Sequence, residues 1–437
     1  METRSWWQKL KNNPLARFAA AVLIAFYIAV IFADFVAPYN PLSQQPSGSL
    51  LPPSEIFWRN QDTGQFMGPH VYPTIQGPID LDTGFQEREI DFSRPAPIRL
   101  FVKGDPYNLF ELTLPVITSI SFDGEITLRE FELFQGFPSS LHLFGTTGPA
   151  SPIAMLEPIS PDATDSESTE PAPLDSDIAI DTAGSTTEAE GSESAPEAVS
   201  ISPAYINLLG TDNAARDVLS RLVHGGRISL SIGLVGIAIT FPLGLLVGGI
   251  SGYFGGWIDS FLMSLVEVIM TIPSIYLLVA LGVILPPQLD SAERFLLIIL
   301  IISFISWAGL ARVIRGEVLS LKENTFVQAS RSMGGRSLHI ITRHILPQTA
   351  TYVIIAATLS IPSYIVSEAV LSLIGLGIQE PDPSWGNMLS AGTNASILVL
   401  HPWLVWPPAA LIVITVLSFN LLGDGLRDAL DPRSLQE

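Results

Sequence analysis

The stretch Gln328-Ala-Ser-Arg-Ser-Met-Gly-Gly335, carried on to His344-Ile-Leu-Pro347, decides how the chain is read. Upstream of its glycines, Arg315 to Met333 mixes apolar Val318, Leu321, Val327 and Ala329 with polar residues, which predicts a helix. Gly334-Gly335 ends it, because glycine takes the geometry of a C-cap or sharp turn without steric cost. Ser337 is placed to cap a second helix in which Leu338, Ile341 and Ile345 recur at helical spacing, and Pro347 closes the unit. Arg312, Arg315, Lys322, Arg331, Arg336 and Arg343 make the segment basic. A short helix, a glycine turn and a second helix can dock into a cleft on a soluble partner and pass its movement to both neighbours. An ordinary amphipathic surface loop has the same composition, so the neighbours matter.

Those neighbours are long apolar runs. A bilayer-spanning helix takes about 20 residues, and six runs approach or exceed that length: Leu15 to Val36, Ile228 to Ile250, Ile258 to Leu285, Phe295 to Leu310, Thr349 to Ile374 and Leu404 to Leu422. The fourth has only 16 residues and spans only if it continues toward Val313. Pro242 is expected to kink the second helix without ending it. The first run exceeds the h-region of a signal peptide, so a retained anchor is expected. Short-loop Lys and Arg set orientation. Arg4, Lys9, Lys11 and Arg17, the basic segment above, and Arg427 and Arg433 all fall on one side of a six-span arrangement, the expected cytoplasmic side. The loop from Gln379 to Pro402 on the other side has no Lys or Arg. Arg216, Arg221 and Arg227 break this rule, and an interfacial helix with its charged heads among the lipid headgroups would accommodate them.

The chain has 437 residues, 42 Asp+Glu against 22 Lys+Arg, and no cysteine. Between Ala37 and Gly210 lie 25 of the acids and 6 of the bases, so the remainder is nearly neutral. A nucleic-acid binder needs a basic face, and that class is excluded. A disulfide framework and a thiolate metal site are excluded as well. Within the acidic interruption, Pro97 to Lys103, Glu111 to Ile117 and Glu125 to Leu133 read as strands, with Gly104-Asp-Pro106 and Asp123-Gly124 as turns. Ser151 to Ser200 holds 12 acids and no base, and it is too polar to bury a core, so it is expected to be unstructured.

The segment 328–347 resembles the coupling motif of bacterial ABC importer permeases: Glu-Ala-Ala, three residues, Gly, and later Ile-x-Leu-Pro. Gly210-Thr-Asp-Asn-Ala-Ala-Arg-Asp-Val-Leu-Ser-Arg221, Gly252-Tyr-Phe-Gly-Gly-Trp257, Pro383-Ser-Trp-Gly-Asn-Met-Leu389 and Phe419-Asn-Leu-Leu-Gly-Asp-Gly-Leu-Arg427 resemble the C-type subunit of the oligopeptide/dipeptide permease family. The chain departs from the motif at Gln328, where Glu is usual, at Ser330, where Ala is common, and at His344, which takes the place of the Ile.

The resemblance implies an all-α polytopic membrane protein of the type I ABC importer permease fold, with six transmembrane helices and a β-rich extracytoplasmic insertion between the first two. The divisions are a cytoplasmic tail 1–14, a first helix 15–36, the insertion 37–150, the acidic tract 151–200 and a permease core 208–430 with its coupling loop 314–348. Implied partners are a homologous permease, two cytoplasmic ATPase subunits, an extracytoplasmic solute-binding protein and the lipid bilayer of a bacterial plasma membrane, both termini being cytoplasmic. Gln328, Ala329, Ser330, Gly334, Ile345, Leu346 and Pro347 are the implied ATPase-coupling residues. ATP hydrolysis is expected in the partners, since this chain has no Gly-x-x-x-x-Gly-Lys-[Ser/Thr] loop.

Ionisable and polar groups at membrane depth give the pathway candidates. Glu267 lies nine residues into the third run; Ser363, Ser367 and Glu368 lie toward the outer end of the fifth. For each, a hydrogen bond within the bundle is the alternative. His339 and His344 are five apart, the wrong spacing for a metal pair on a helix, and no metal site, cofactor or catalytic grouping is expected. An ion-driven secondary transporter would need more intramembrane charge, and a membrane-anchored receptor would leave the basic helix–glycine–helix unit unexplained.

Overall fold

The computed structural model describes residues 6–46, 48–79, 86–110, 112–120, 126–146, 204–286, 289 and 291–430. The acidic 151–200 tract and the Asp123-Gly124 turn lie outside them.

The chain enters through α1 (Trp6–Asn12) and α2 (Pro14–Ile31). Asn13 starts α2, its side chain accepting from the Leu15 and Ala16 amides at 3.1 and 3.2 Å, with Pro14 at the first turn, where no amide is needed. A short α3 (Ala33–Val36) follows. Eight strands come next among the described residues: β1 (Phe57–Arg59), β2 (Phe66–Val71), β3 (Thr74–Ile79), β4 (Gln86–Ile90), β5 (Ala96–Leu109), β6 (Leu112–Ile120), β7 (Ile126–Phe134) and β8 (Phe137–Thr146). They pair antiparallel as one sheet in the order β1-β2-β5-β8 and two hairpins, β3-β4 and β6-β7. Gly104-Asp-Pro106 is not the expected turn. The strand runs through it with a register shift between Lys103 and Tyr107, a bulge that absorbs the proline's missing donor.

The two stems of this insertion are sewn together. Leu51 and Thr211 exchange hydrogen bonds, N–H to Oγ1 at 2.8 Å and N–H to C=O at 2.9 Å. The side-chain amides of Gln45 and Asn207 pair reciprocally at 2.8 Å, and the Ser54 and Leu50 amides donate to the Asn207 and Asp212 carbonyls.

Helices then dominate: α4 (Val218–Phe254), α5 (Gly256–Thr271), α6 (Ser274–Val283), α7 (Ser291–Leu321), α8 (Thr325–Ser332), α9 (Ser337–Ile340), α10 (Ala350–Leu373), α11 (Trp385–Leu389), α12 (Ala395–Leu400) and α13 (Trp406–Leu430). Among the described residues five helical stretches are long and apolar enough to cross a membrane, or six if the bent pair α5–α6 counts as one. Pro242 lies inside α4 without ending it. The fourth apolar run gains its missing length, because α7 extends to Leu321.

The third run is not one straight helix. It bends by 82° between α5 and α6. Pro273 forces Ile272 into extended backbone (φ −83°, ψ 124°) and has no N–H to offer, so a continuous apolar sequence is still broken. The expected helix from Arg315 to Met333 is also divided, at Lys322–Asn324. At about 100° per residue, Val327 lies about 180° round from Val318 on one helix. Folding α8 back buries both, at 2% and 0% exposure, against Phe241, Leu310 and Ile314. Arg336, not Ser337, occupies the N-cap of α9.

Close packing centres on α4. A side chain at Gly248 or Gly252 would meet the α7 backbone, the Ala311 carbonyl at 2.5 Å and the Arg315 carbonyl at 2.8 Å. This four-residue stripe lets the two helices touch backbone to backbone, where dispersion between lipid-like side chains alone would bind weakly. On the other flank, Tyr364 of α10 donates to Thr240 of α4 at 2.7 Å.

Candidate functional site

At the end of the bundle where α7 stops, α8 finishes in a Schellman turn. The Gly335 amide donates to Ser330 C=O and the Gly334 amide to Arg331 C=O, both at 3.0 Å, with Gly334 at φ +81°. Glycine is needed here, because side chains rarely adopt that backbone. Beyond α9 the ladder loosens to a π turn over Ile341–Ile345 and tightens to 3-10 over Leu346–Thr349, around Pro347, which has no amide for the Arg343 carbonyl.

The unit has two faces. Val327, Ser330, Ile340 and Ile345 are buried inward, whereas Met333 is 82% and Leu338 62% exposed. Of the expected coupling residues, Ser330 and Ile345 hold the unit to the bundle. Gln328, Ala329, Gly334 and Pro347 face out, and Leu346 is half-buried. The Gln328 amide donates to Glu323 C=O at 3.0 Å, back onto its own loop. Arg315 makes a bidentate bridge to Asp259 at 2.5 and 2.6 Å, tying α7 to α5 beside the unit.

The pathway candidates separate. Ser363 and Ser367, one turn apart on α10, line a cavity of about 250 Å³ with Ser274 of α6 and Ser306 of α7. Glu368 faces the other way. It is fully buried, accepting from Ser372 at 2.7 Å and, more loosely, from Ser229 at 3.5 Å. The Trp385 amide donates to the same Ser229, and its indole to Leu222 C=O at 2.9 Å, plugging α11 between α4 and α10. A Ser384–Asn387 capping box fixes that short helix. Glu267 is exposed on α5, 3.7 Å from Arg312, and does not line the serine cavity.

Sequence reading did not place Ser274 and Ser306 at this cavity: the bend at Pro273 brings Ser274 to it, and the packing of α7 brings Ser306. It also misplaced Arg216 and Arg221, which an interfacial helix would have set among lipid headgroups. Arg216 and Arg221 are instead buried, at 6% and 2% exposure. Glu380 bridges them at 2.6 and 2.8 Å, and Asp212 binds Arg216 at 2.8 Å and Arg221 at 3.4 Å. They wall a second cavity of about 520 Å³. Arg227 pairs with Asp34 at 2.5 Å, and His224 contacts the other carboxylate oxygen at 3.0 Å. Burial pushes the Asp34 carboxyl up, but the hydrogen bonds from His224 and Arg227 outweigh it and hold the carboxyl at about 2. Asp217, the N-cap of α4, is raised by burial to about 7; its Oδ2 accepts from the Ser220 amide and hydroxyl at 2.7 Å.

Residues 242–436, which contain the Schellman turn and the serine cavity's α6, α7 and α10 walls, match the family model described as binding-protein-dependent transport system inner membrane component. Residues 3–53 match the N-terminal TM domain of oligopeptide transport permease C. Over 231 residues the chain is 40% identical to the dipeptide transport system permease protein DppC of Bacillus subtilis, covering 53% of this chain and 70% of that one. The chain belongs to this family of binding-protein-dependent inner membrane components. The permease is 40% identical over 227 residues to the oligopeptide transport system permease protein OppC of Haemophilus influenzae, with coverage of 52% and 70%. Among solved structures it is similar to the MetNI methionine ABC transporter in inward-facing form, at 19% identity and a TM-score of 0.38, covering 48% of this chain and 97% of that one. The permease is an ABC importer subunit, a transport component of the inner membrane rather than an enzyme.

Proposed function

We propose that this permease pairs with a homologous subunit to form the membrane pathway for peptides or similar small solutes, in the type I arrangement with six spans. Two cytoplasmic ATPase subunits drive it through loop 314–348, an external solute-binding protein delivers the solute, and both termini are cytoplasmic. The 37–150 insertion and the 151–200 tract are extracytoplasmic accessories to the 208–430 core. The carrying observation is the two-faced unit after α7. Its inner face is locked into the core that α4 and α7 share, and its outer face holds Met333 and Leu338 in the open. Force applied to that tip therefore moves the spans on either side.

The names of the relatives support peptides as the solute. Ser363 and Ser367 suit that role: uncharged hydroxyls can hydrogen-bond a peptide backbone whatever its side chains. In this reading Glu368 braces the helices that carry the wall, and Glu267 answers Arg312 near the coupling end. Gly334→Val, which cannot hold φ +81° without strain, should abolish peptide uptake by the complete transporter while leaving the amount of protein in the membrane unchanged. Normal uptake by that variant would remove the coupling role.

A further inference from the structure

The exposed face of α2 does not stop at the end of the helix. Ile24, Ile28 and Ile31 are 59%, 52% and 48% exposed, the side a lipid chain would cover, on an apolar helix of 18 residues or about 27 Å. Just past Ile31, Phe32 meets the ring of Phe110 edge-on at 5.2 Å, and Phe35 lies 6.2 Å from Phe101. Phe101 and Phe110 belong to the insertion, and they are 61% and 41% exposed. The apolar surface therefore passes from the first span onto β5 and the residue that follows it.

Two further observations fix the height and chemistry of this strip. Asp34, between Phe32 and Phe35, is paired with Arg227 and lies 3.0 Å from His224, so these rings sit where hydrocarbon gives way to polar groups. His142 of β8 pins the ribbon there, one ring nitrogen donating to Ala37 C=O at 2.6 Å and the other lying 3.1 Å from Asp105 C=O. The β5–β8 pairing keeps Leu100 opposite Phe144 and Val102 opposite His142, one for one through Phe101. Arg99 and Lys103 lie two residues to either side of Phe101 on this strand. Both are exposed, and they are two of only 6 bases between Ala37 and Gly210.

We infer that the insertion rests on the bilayer from which it emerges: Phe101 and Phe110 enter the interfacial layer beside α2, and Arg99 and Lys103 meet lipid phosphates. Aromatic rings are enriched at that depth, and basic residues near an anionic surface are attracted to it. An acidic insertion would otherwise be repelled by such a surface, so the placement of its few bases has a physical use.

The absence of cysteine makes the test direct. Phe101→Cys and Phe110→Cys, each carrying an environment-sensitive fluorophore, would be studied in the full chain in phosphatidylcholine/phosphatidylglycerol vesicles holding a shallow spin-labelled lipid. Trp58→Cys is the reference, being 58% exposed on β1 at the other edge of the sheet. Quenching by the spin-labelled lipid should be several-fold stronger at both phenylalanine positions than at Trp58, and quenching by aqueous iodide should be several-fold weaker. Arg99→Glu with Lys103→Glu should reduce the lipid quenching when phosphatidylglycerol is present. Iodide quenching equal to that at Trp58 overturns the inference. So does shielding that develops only when a second protein is added, because the strip would then be a protein docking surface.

Discussion

At one end of the bundle Arg216 and Arg221 are buried between Asp212 and the half-exposed Glu380; at the other, Met333 and Leu338 stand in the open around the turn after α8. The first end neutralises its arginines with carboxylates of the same chain. The second turns apolar side chains outward and leaves Arg331, Arg336 and Arg343 exposed around them. Exposed apolar groups next to basic residues suit the docking surface proposed above, whereas arginines neutralised within the chain suit a fixed joint. The difference teaches that the two ends of this permease can be told apart by where charge is neutralised.

The contrast can be broken at the closed end with the largest effect. Arg221→Ala leaves Asp212 and Glu380 facing a single arginine; Asp212 is buried but Glu380 is half in water, so the loss falls toward the lower end of the range for a buried pair, about 3–5 kcal/mol. Thermal unfolding followed by tryptophan fluorescence should register it as a lower Tm. At the open end the two faces should diverge. Ile345→Ala, at a fully buried position, should cost about 2–5 kcal/mol. Leu338→Ala should stay within about 0.5 kcal/mol in the same assay yet weaken uptake; equal destabilisation by both would erase the distinction between the faces.

The third effect is one of pH. The folded state holds the proton on Asp217, near 7, more tightly than the unfolded chain holds it, near 3.8. Burial is the main cause, the Asp212 charge adds to it, and the Oδ1 of Asp217 has no hydrogen-bond partner among the described residues. Its contribution to stability is therefore full below about pH 4, shrinks as pH rises to about 7, and is constant beyond. Asp34 has the opposite sign and already contributes fully above about pH 4. Unfolding measured from pH 5 to 8 should show this slope, and Asp217→Asn should flatten it. The smallest expected change is Gln328→Glu, which touches nothing buried. Stability should not move, and a changed ATP cost per solute transported would show that charge at this position matters.

Much of this was legible in residues. The apolar runs announced the candidate spans, and Gly334-Gly335 announced the Schellman turn. What could not be read was long-range. Pro273 stands in an unbroken apolar run, so the bend and the recruitment of Ser274 depend on how α5 and α6 pack. The burial of Arg216 and Arg221 depends on Glu380, some 160 residues away, and no local pattern signals that encounter. The break before α8 follows from Val318 and Val327 needing the same core, a requirement visible only once that core has a location. Gly104-Asp-Pro106 has the composition of a turn, but β8 continues alongside it and holds the strand in line.

The paired stems at Gln45–Ser54 and Asn207–Asp212 bear on how this chain could change over time. Closing a loop whose ends are already held together grows only slowly in cost with its length, about 0.6 kcal/mol per doubling for a flexible chain. Everything between Ser54 and Asn207 is in that sense a cassette. Its length can change at low cost, provided the stitches at its base and the His142–Ala37 and Phe32–Phe110 contacts with the end of the first span are kept.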